Sequence, residues 1–260
     1  MRPDTPQATL SNPVIPAKAG IKGCGSAHSA VAGILHKTML PVAEVHTLLH
    51  LADLEALVWE ARRPDWAPDA LQLAPWVVVR RTAPRPGLWP VGVRGEQRLQ
   101  RCAAWLPGGA VRHSLSPRQL AVTRPWHLRP AAQATPAIAA LDEVEAILEA
   151  HGFTGRWGPG GSAGYELASG LPCTTPHSDL DLVLYAPLPP AREHAVELHS
   201  VLSRLPVRID ALLETPNGAV ALAEYARAGD MLLRSANGPR LVSDPWRDEA
   251  AVAGTVAPGA

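Results

Sequence analysis

Lysine is nearly missing: Lys18, Lys22 and Lys37 are the only three in 260 residues, and every later cation is arginine. A planar guanidinium fork grips phosphate at two points, so an arginine-only body is suited to polyphosphate. Cysteine is scarce too. Cys24, Cys102 and Cys173 are far apart, odd in number and form no C-x-x-C pair, which excludes a disulfide framework and a zinc knuckle and fits a reducing cytoplasm. No apolar run approaches the length of a membrane-spanning helix, and the N-terminus lacks the charged region, apolar stretch and cleavage site of a secretory signal. The expectation is a soluble cytoplasmic protein. Neither sign of charge is in excess, with 24 Lys+Arg against 24 Asp+Glu, so nothing global points to nucleic acid or an anionic membrane. Any anion must be held by a local site.

What is present is 47% hydrophobic residues, enough for one substantial core or two modest ones. Residues 1–38 are rich in Pro, Ala, Gly and Ser without a sustained apolar period and are read as a disordered tail. The stretch Asn12 to Ile21 is similar to peptides produced when a repetitive DNA element is read as coding sequence, which would make Met39 the start; N-terminal sequencing of the native protein tests this. An N-terminal domain is placed at 39–130, a catalytic domain at 135–249 and a second tail at 250–260, with the boundary in the aperiodic, proline-bearing stretch Arg129 to Pro136.

Leu48, Leu49, Leu51, Leu54, Leu57 and Val58 recur at helical spacing and predict an amphipathic helix between Val42 and Ala61. Two short strands follow, Trp76–Val79 before Arg80-Arg81 and Val91–Val93 before Arg94, then a helix from Gln97 to Leu106. Beyond the boundary, Leu141, Val144, Ile147 and Leu148 form a helical stripe ended by Gly152, with Thr135 and Pro136 at its start. Later elements are a helix at Ala163–Ala168, a strand at Leu180–Tyr185, a helix at Pro190–Leu205, a strand at Val207–Glu214 and a helix at Ala219–Ala228. Strands at Met231–Ser235 and Arg240–Val242 flank the turn Asn237-Gly238. The fold class predicted is α+β: a C-terminal mixed sheet with packed helices, preceded by a smaller α/β domain.

The chemistry concentrates in Ser178-Asp-Leu-Asp-Leu-Val-Leu184. Strand side chains alternate faces, so Asp179 and Asp181 point the same way while the leucines enter the core. Paired carboxylates repel, and a divalent cation relieves that while leaving room for phosphate oxygens; Mg²⁺ is the natural candidate. Asp210, on the next strand, becomes a third carboxylate if the two strands pair. Upstream, Gly158-Pro-Gly-Gly-Ser162 offers free backbone N–H groups at a helix start, where Gly161 and Ser162 can hold a terminal phosphate. A turn position for Asp179 and an ion pair with Arg208 for Asp210 are the plainer alternatives, whereas a carboxylate at Asp181 between two leucines needs a partner. His46-x-x-x-His50 has zinc-ligand spacing but no third ligand, and both are read as surface histidines; His177 is read as a solvated loop residue. Cys173 lacks a paired base, and the irregularly spaced tryptophans are read as packing.

The order Gly-Ser, Asp-x-Asp, then a lone Asp resembles the DNA polymerase β-like nucleotidyltransferases. A closer resemblance lies in Pro75-Trp-Val-Val-Val-Arg-Arg81, Pro90-Val-Gly-Val-Arg-Gly95, Arg156-Trp-Gly-Pro-Gly-Gly-Ser162, Tyr165-Glu-Leu-Ala-Ser-Gly-Leu-Pro172, Ser178 to Leu182, Leu213 to Glu224 and Asp244-Pro-Trp246. Spanning about residues 42–247, these resemble the phosphoribosyl-dephospho-CoA transferase family, the malonate decarboxylase holo-acyl carrier protein synthases. Gly160 departs from it, standing where a larger residue is expected. The resemblance implies that a serine of the acyl carrier subunit of malonate decarboxylase attacks the α-phosphorus of 2'-(5''-triphosphoribosyl)-3'-dephospho-CoA, releasing pyrophosphate. It implies Mg²⁺ on Asp179 and Asp181, with Asp210 completing the cluster or helping to deprotonate the serine. Gly161 and Ser162 would hold the departing phosphates. Among Arg80, Arg81, Arg94, Arg98 and Arg101, Arg94 and Arg98 are singled out to receive the dephospho-CoA pyrophosphate or acidic carrier residues. Open alternatives are the citrate lyase carrier, another small-molecule nucleotidyltransferase, and a catalytically dead nucleotide-binding module, against which the intact aspartates count.

Overall fold

The computed structural model describes residues 44–83, 85–130 and 134–247. Both expected tails, the start at Met39 and residues 131–133 of the expected boundary lie outside the described residues. Two six-stranded sheets carry the architecture, and all described residues fall in one compact unit. The class is α+β.

The first sheet contains β1 (Leu48–Leu51), β2 (Val58–Trp59), β3 (Trp76–Val79), β4 (Leu88–Arg94), β5 (Arg101–Pro107) and β6 (Val111–Leu115). Their spatial order is β2-β5-β4-β3-β1-β6 and every pairing is antiparallel. One helix, α1 (Ala67–Leu73), packs on it, closing a core around Leu49, Val77, Val91 and Leu106, all 0% exposed. This half is therefore far richer in strand than the α/β domain expected from sequence.

Two expected helices are strands. The Val42–Ala61 segment forms β1, a short 3-10 turn at Leu54–Ala56, and β2. Because β1 is central, hydrogen-bonded to both β3 and β6, its neighbouring leucines 48 and 49 are both buried and the alternation of a half-exposed strand is lost. The Gln97–Leu106 segment instead supplies β5, which pairs with β4 from Arg94↔Arg101 to Leu88↔Pro107. Long-range pairing overrides the local helical pattern there.

The second sheet runs β12-β11-β10-β9-β8-β7 and comprises β7 (Trp157–Pro159), β8 (Leu180–Tyr185), β9 (Ile209–Thr215), β10 (Gly218–Ala221), β11 (Met231–Ser235) and β12 (Gly238–Val242). Only β8 and β9 are parallel. Their connection passes through a helix, as a parallel crossover requires. The helices of this part are α2 (Pro117–Thr123), α3 (Pro136–Ala139), α4 (Leu141–Ala150), α5 (Gly161–Ser169), α6 (Arg192–Leu202) and α7 (Leu222–Arg227). The helix expected over Ala219–Ala228 opens as β10, since the turn after Thr215 folds Gly218–Ala221 back onto β9, and turns helical only at Leu222. Thr135 occupies the cap position of α3 without capping it; its hydroxyl bonds Thr174 Oγ1 at 2.7 Å.

Helix α2 precedes the boundary expected from sequence but packs on β7 of the second sheet. The contact is backbone to backbone: a Cβ at Gly158 would lie 1.9 Å from the Pro117 carbonyl oxygen. Trp126, just after α2, donates its indole N–H to Asp142 at 2.7 Å and lies 6.5 Å from the Trp157 ring. Four of the eight tryptophans, Trp76, Trp105, Trp126 and Trp157, are buried packing residues.

Candidate active site

Three adjacent strands converge on one row of residues. On β7 the register is Gly158↔Val183 and Pro159↔Leu182, and the Gly160 N–H donates to the Asp181 carbonyl at 2.9 Å, so the β7–α5 turn stands opposite Asp181. On the other side, parallel pairing puts Asp181 directly across from Asp210. Leu180, Leu182 and Leu184 are at most 1% exposed on the opposite face of β8, which turns Asp181 toward the first sheet.

Gly161 shapes the turn. Its φ of +51° lies in the left-handed region, and a Cβ there would sit 1.8 Å from Asp181 Oδ2. No side chain fits between the α5 N-terminus and this carboxylate. At Gly160 a Cβ would meet only ordinary contacts, the nearest being Val183 at 3.4 Å, so the departure from the family pattern reflects no backbone demand.

Burial raises the Asp181 pKa, and the Asp210 and Asp179 charges raise it further, opposed by Arg101 and His46. The site therefore concentrates negative charge that calls for a cation. Arg208 supplies part of it, reaching Asp210 at 3.5 Å and Asp179 at 3.9 Å while 71% exposed. Among the described residues no group of three or more His, Cys, Asp and Glu side chains is gathered closely enough to hold a metal ion. The oxygen-only donors and the destabilised Asp181 charge suit a hard divalent cation, provided the solvent-exposed Arg208 swings aside.

Arginines of the first sheet approach from above. Burial and the Arg94 charge push the Arg101 guanidinium below its ordinary range, Asp181 opposes the shift, and Arg98 adds to it. Arg94 donates to the Cys173 carbonyl at 3.3 Å and lies 5.5 Å from the Tyr165 ring centre. Among the described residues Arg94, Arg98 and Arg101 have no carboxylate in salt-bridge contact. Ser162, in the first turn of α5, is partly exposed.

Two further groups escaped the sequence reading. Glu166 on α5 is 3% exposed and accepts from Arg129 Nη1 (2.7 Å), the Cys173 and Thr174 N–H groups (2.7 and 2.6 Å) and Thr174 Oγ1 (2.7 Å). It fixes the loop between the glycine turn and the aspartates. Its signal was visible: Glu166 is the only Asp, Glu, Lys or Arg between Trp157 and Ser178. The second group is Glu214, one end of an inter-sheet tie, which accepts from Arg81 and from His46 Nε2 at 3.0 Å. Burial would raise its pKa, but the His46 bond and the Arg81 charge outweigh it and hold the carboxyl below its ordinary range. His46 is thus a partly buried tie residue with φ +72°, and His50 lies in β1 stacked on His113 at 4.4 Å; neither is a surface residue of a helix. His177 is exposed in its loop, as expected.

The α+β fold thus sets a carboxylate pair in parallel register beside a glycine-shaped helix start, on the side where Arg94, Arg98 and Arg101 have no ion-pair partner among the described residues. The comparisons with known proteins narrow the class. Residues 44–117 match the phosphoribosyl-dephospho-CoA transferase MdcG N-terminal domain and residues 119–245 its C-terminal domain. A protein of Azotobacter vinelandii named phosphoribosyl-dephospho-CoA transferase is 42% identical over 219 residues, covering 84% of this chain and 100% of its own. Proteins of the same name from Pseudomonas syringae pv. tomato (45% over 204 residues; 77% and 92% covered) and Klebsiella pneumoniae (37% over 204; 78% and 96%) are similar along nearly their whole length. No solved structure matches the chain. The chain belongs to the phosphoribosyl-dephospho-CoA transferase family. No helix among the described residues is long and apolar enough to cross a membrane.

Proposed function

We propose that this protein, in the cytoplasm, transfers the phosphoribosyl-dephospho-CoA group from 2'-(5''-triphosphoribosyl)-3'-dephospho-CoA to a serine of the apo acyl carrier subunit of malonate decarboxylase, releasing pyrophosphate. The observation that carries the reading is the row Gly160, Asp181, Asp210 across three adjacent strands, within a chain of this family. Asp179, Asp181 and Asp210 would hold Mg²⁺ once Arg208 swings aside and the three carboxylates draw together, and the ion would supply positive charge to the phosphate oxygens. The backbone N–H groups of Gly161 and Ser162 hold the departing β- and γ-phosphates. Arg94 and Arg98, expected from sequence at the dephospho-CoA diphosphate or the carrier, are assigned with Arg101 to the leaving phosphates instead, because their charges act together with that of Asp181 on Arg101.

Asp210, more open than Asp181, accepts the proton of the incoming serine or orients it. A bond forms between serine oxygen and the α-phosphorus, the bond from that phosphorus to the bridging oxygen breaks, and pyrophosphate leaves with the electron pair. Positioning and charge neutralisation do most of the catalytic work in such a transfer.

The test mixes the protein with apo carrier, the triphosphoribosyl substrate and Mg²⁺, then follows intact carrier mass and pyrophosphate. One pyrophosphate per modified carrier is expected, with the citrate lyase carrier modified more slowly. Pyrophosphate without a gain in carrier mass would overturn the reading.

A further inference from the structure

A cleft of about 460 Å³ lies where the end of β3 faces β9 to β12, bounded by Val45, Val79 and Leu212 and by Arg80, Arg81 and Arg234. It begins close to the acidic row. Leu212 stands two residues beyond Asp210 on the same face of β9, a distance of about 7 Å at strand rise. Its far wall is set by register: Glu214 pairs with Ala219, and Ala219 with Arg234, so Arg234 lies two strands across and two residues further along. Cleft and acidic row therefore share one sheet face, a trough whose cleft end has no aspartate in its lining.

The cations are not equivalent. Arg80 is paired with Glu60 at 3.0 Å and Arg81 with Glu214, while among the described residues exposed Arg234 has no ion-pair partner. The trough thus offers apolar walls and one uncompensated guanidinium, on the side of the carboxylates away from Arg94 and Arg101.

We propose that this cleft seats the dephospho-CoA arm of the substrate, with its uncharged adenosine and pantetheine parts against Val79 and Leu212 and its internal diphosphate on Arg234. The proposal rests on the transferase reading above and divides the substrate between two places: the leaving phosphates under Arg94, Arg98 and Arg101, and the nucleotide arm some two strands away. A ligand of that shape matches the trough, because dephospho-CoA carries one diphosphate beside otherwise uncharged groups.

Calorimetric titration of the full chain without metal, using dephospho-CoA and sodium tripolyphosphate as separate probes, tests the division. Arg234→Glu should weaken dephospho-CoA at least tenfold and Arg234→Ala by less, with tripolyphosphate binding and the thermal midpoint unchanged; Arg101→Ala should do the reverse. Arg234 is exposed, so neither variant endangers the fold. If the parent chain binds dephospho-CoA and Arg234→Glu binds it equally well, the cleft assignment falls while the transferase reading stands. If the parent chain neither binds dephospho-CoA nor modifies the carrier, both fall.

Discussion

The two sheets have the same number of strands but opposite chemistry at the surfaces they turn toward each other. The first, wholly antiparallel, brings Arg94, Arg98 and Arg101 to one hairpin end, where the charges press on one another. The second has a single parallel pair, and that pair carries the aspartates. In a parallel pair residues from two distant segments stand side by side without a tight turn between them, leaving the row open above. The difference is one of charge: one sheet concentrates carboxylates and the other arginines, and in the proposed reaction the first would draw a cation and the second the anion that accompanies it.

The sharpest way to break this contrast is Asp181→Asn. Transfer should fall about a thousandfold, the scale expected when preorganised charge stabilisation is lost. The same change should raise stability near neutral pH. A carboxyl whose folded pKa lies above its unfolded value binds its proton more tightly in the fold. Its ionisation cost is absent below the unfolded pKa, grows as pH rises toward the folded one and is full beyond it. Asn carries no such cost, so thermal melts should show the variant above the parent at pH 7 and the gap closing in acid; a lower midpoint at pH 7 would contradict the electrostatic account.

Glu166→Ala should be the most damaging change to stability, about 3 kcal/mol, because it leaves a partly buried Arg129 and two backbone donors without their carboxylate. Urea melts would report it. Next comes the tie between the sheets. Glu214→Gln should cost about 2 kcal/mol, the scale of hydrogen bonds to a charged group. Here the sign is opposite to Asp181: a depressed pKa contributes stability above the unfolded value and loses it as pH falls through the folded one. The parent's advantage over Glu214→Gln should therefore vanish in acid. The smallest effect is expected at Gly160→Ala, within about 0.5 kcal/mol and with near-normal activity. Gly161→Ala, one residue on, should disable transfer by driving a methyl into Asp181. Equal tolerance at both positions would show that the turn does not gate the carboxylate.

The half that carries the aspartates was the more legible from sequence, for a physical reason. Asp181 sits between two buried leucines in a short apolar run and Asp210 follows in a run of its own, so both could be placed on strands from their apolar flanks. The first sheet resisted because β1 is covered on both faces and β5 draws its stability from pairing with β4, neither of which leaves a local period. Burial of Glu166 and the reach of Arg81 and His46 to Glu214 depend on contacts between segments far apart in the chain. Only the isolation of Glu166 in an uncharged stretch hinted at its role.

The central claim is that the parallel aspartate pair drives group transfer to a carrier serine. Single-turnover intact-mass measurement of the apo carrier, with saturating triphosphoribosyl substrate and Mg²⁺, tests it most directly when parent and Asp181→Asn are run together. The account predicts complete modification of the carrier by the parent and none on the same timescale by a folded Asp181→Asn that still binds dephospho-CoA. Carrier modified at the parental rate by Asp181→Asn would contradict it.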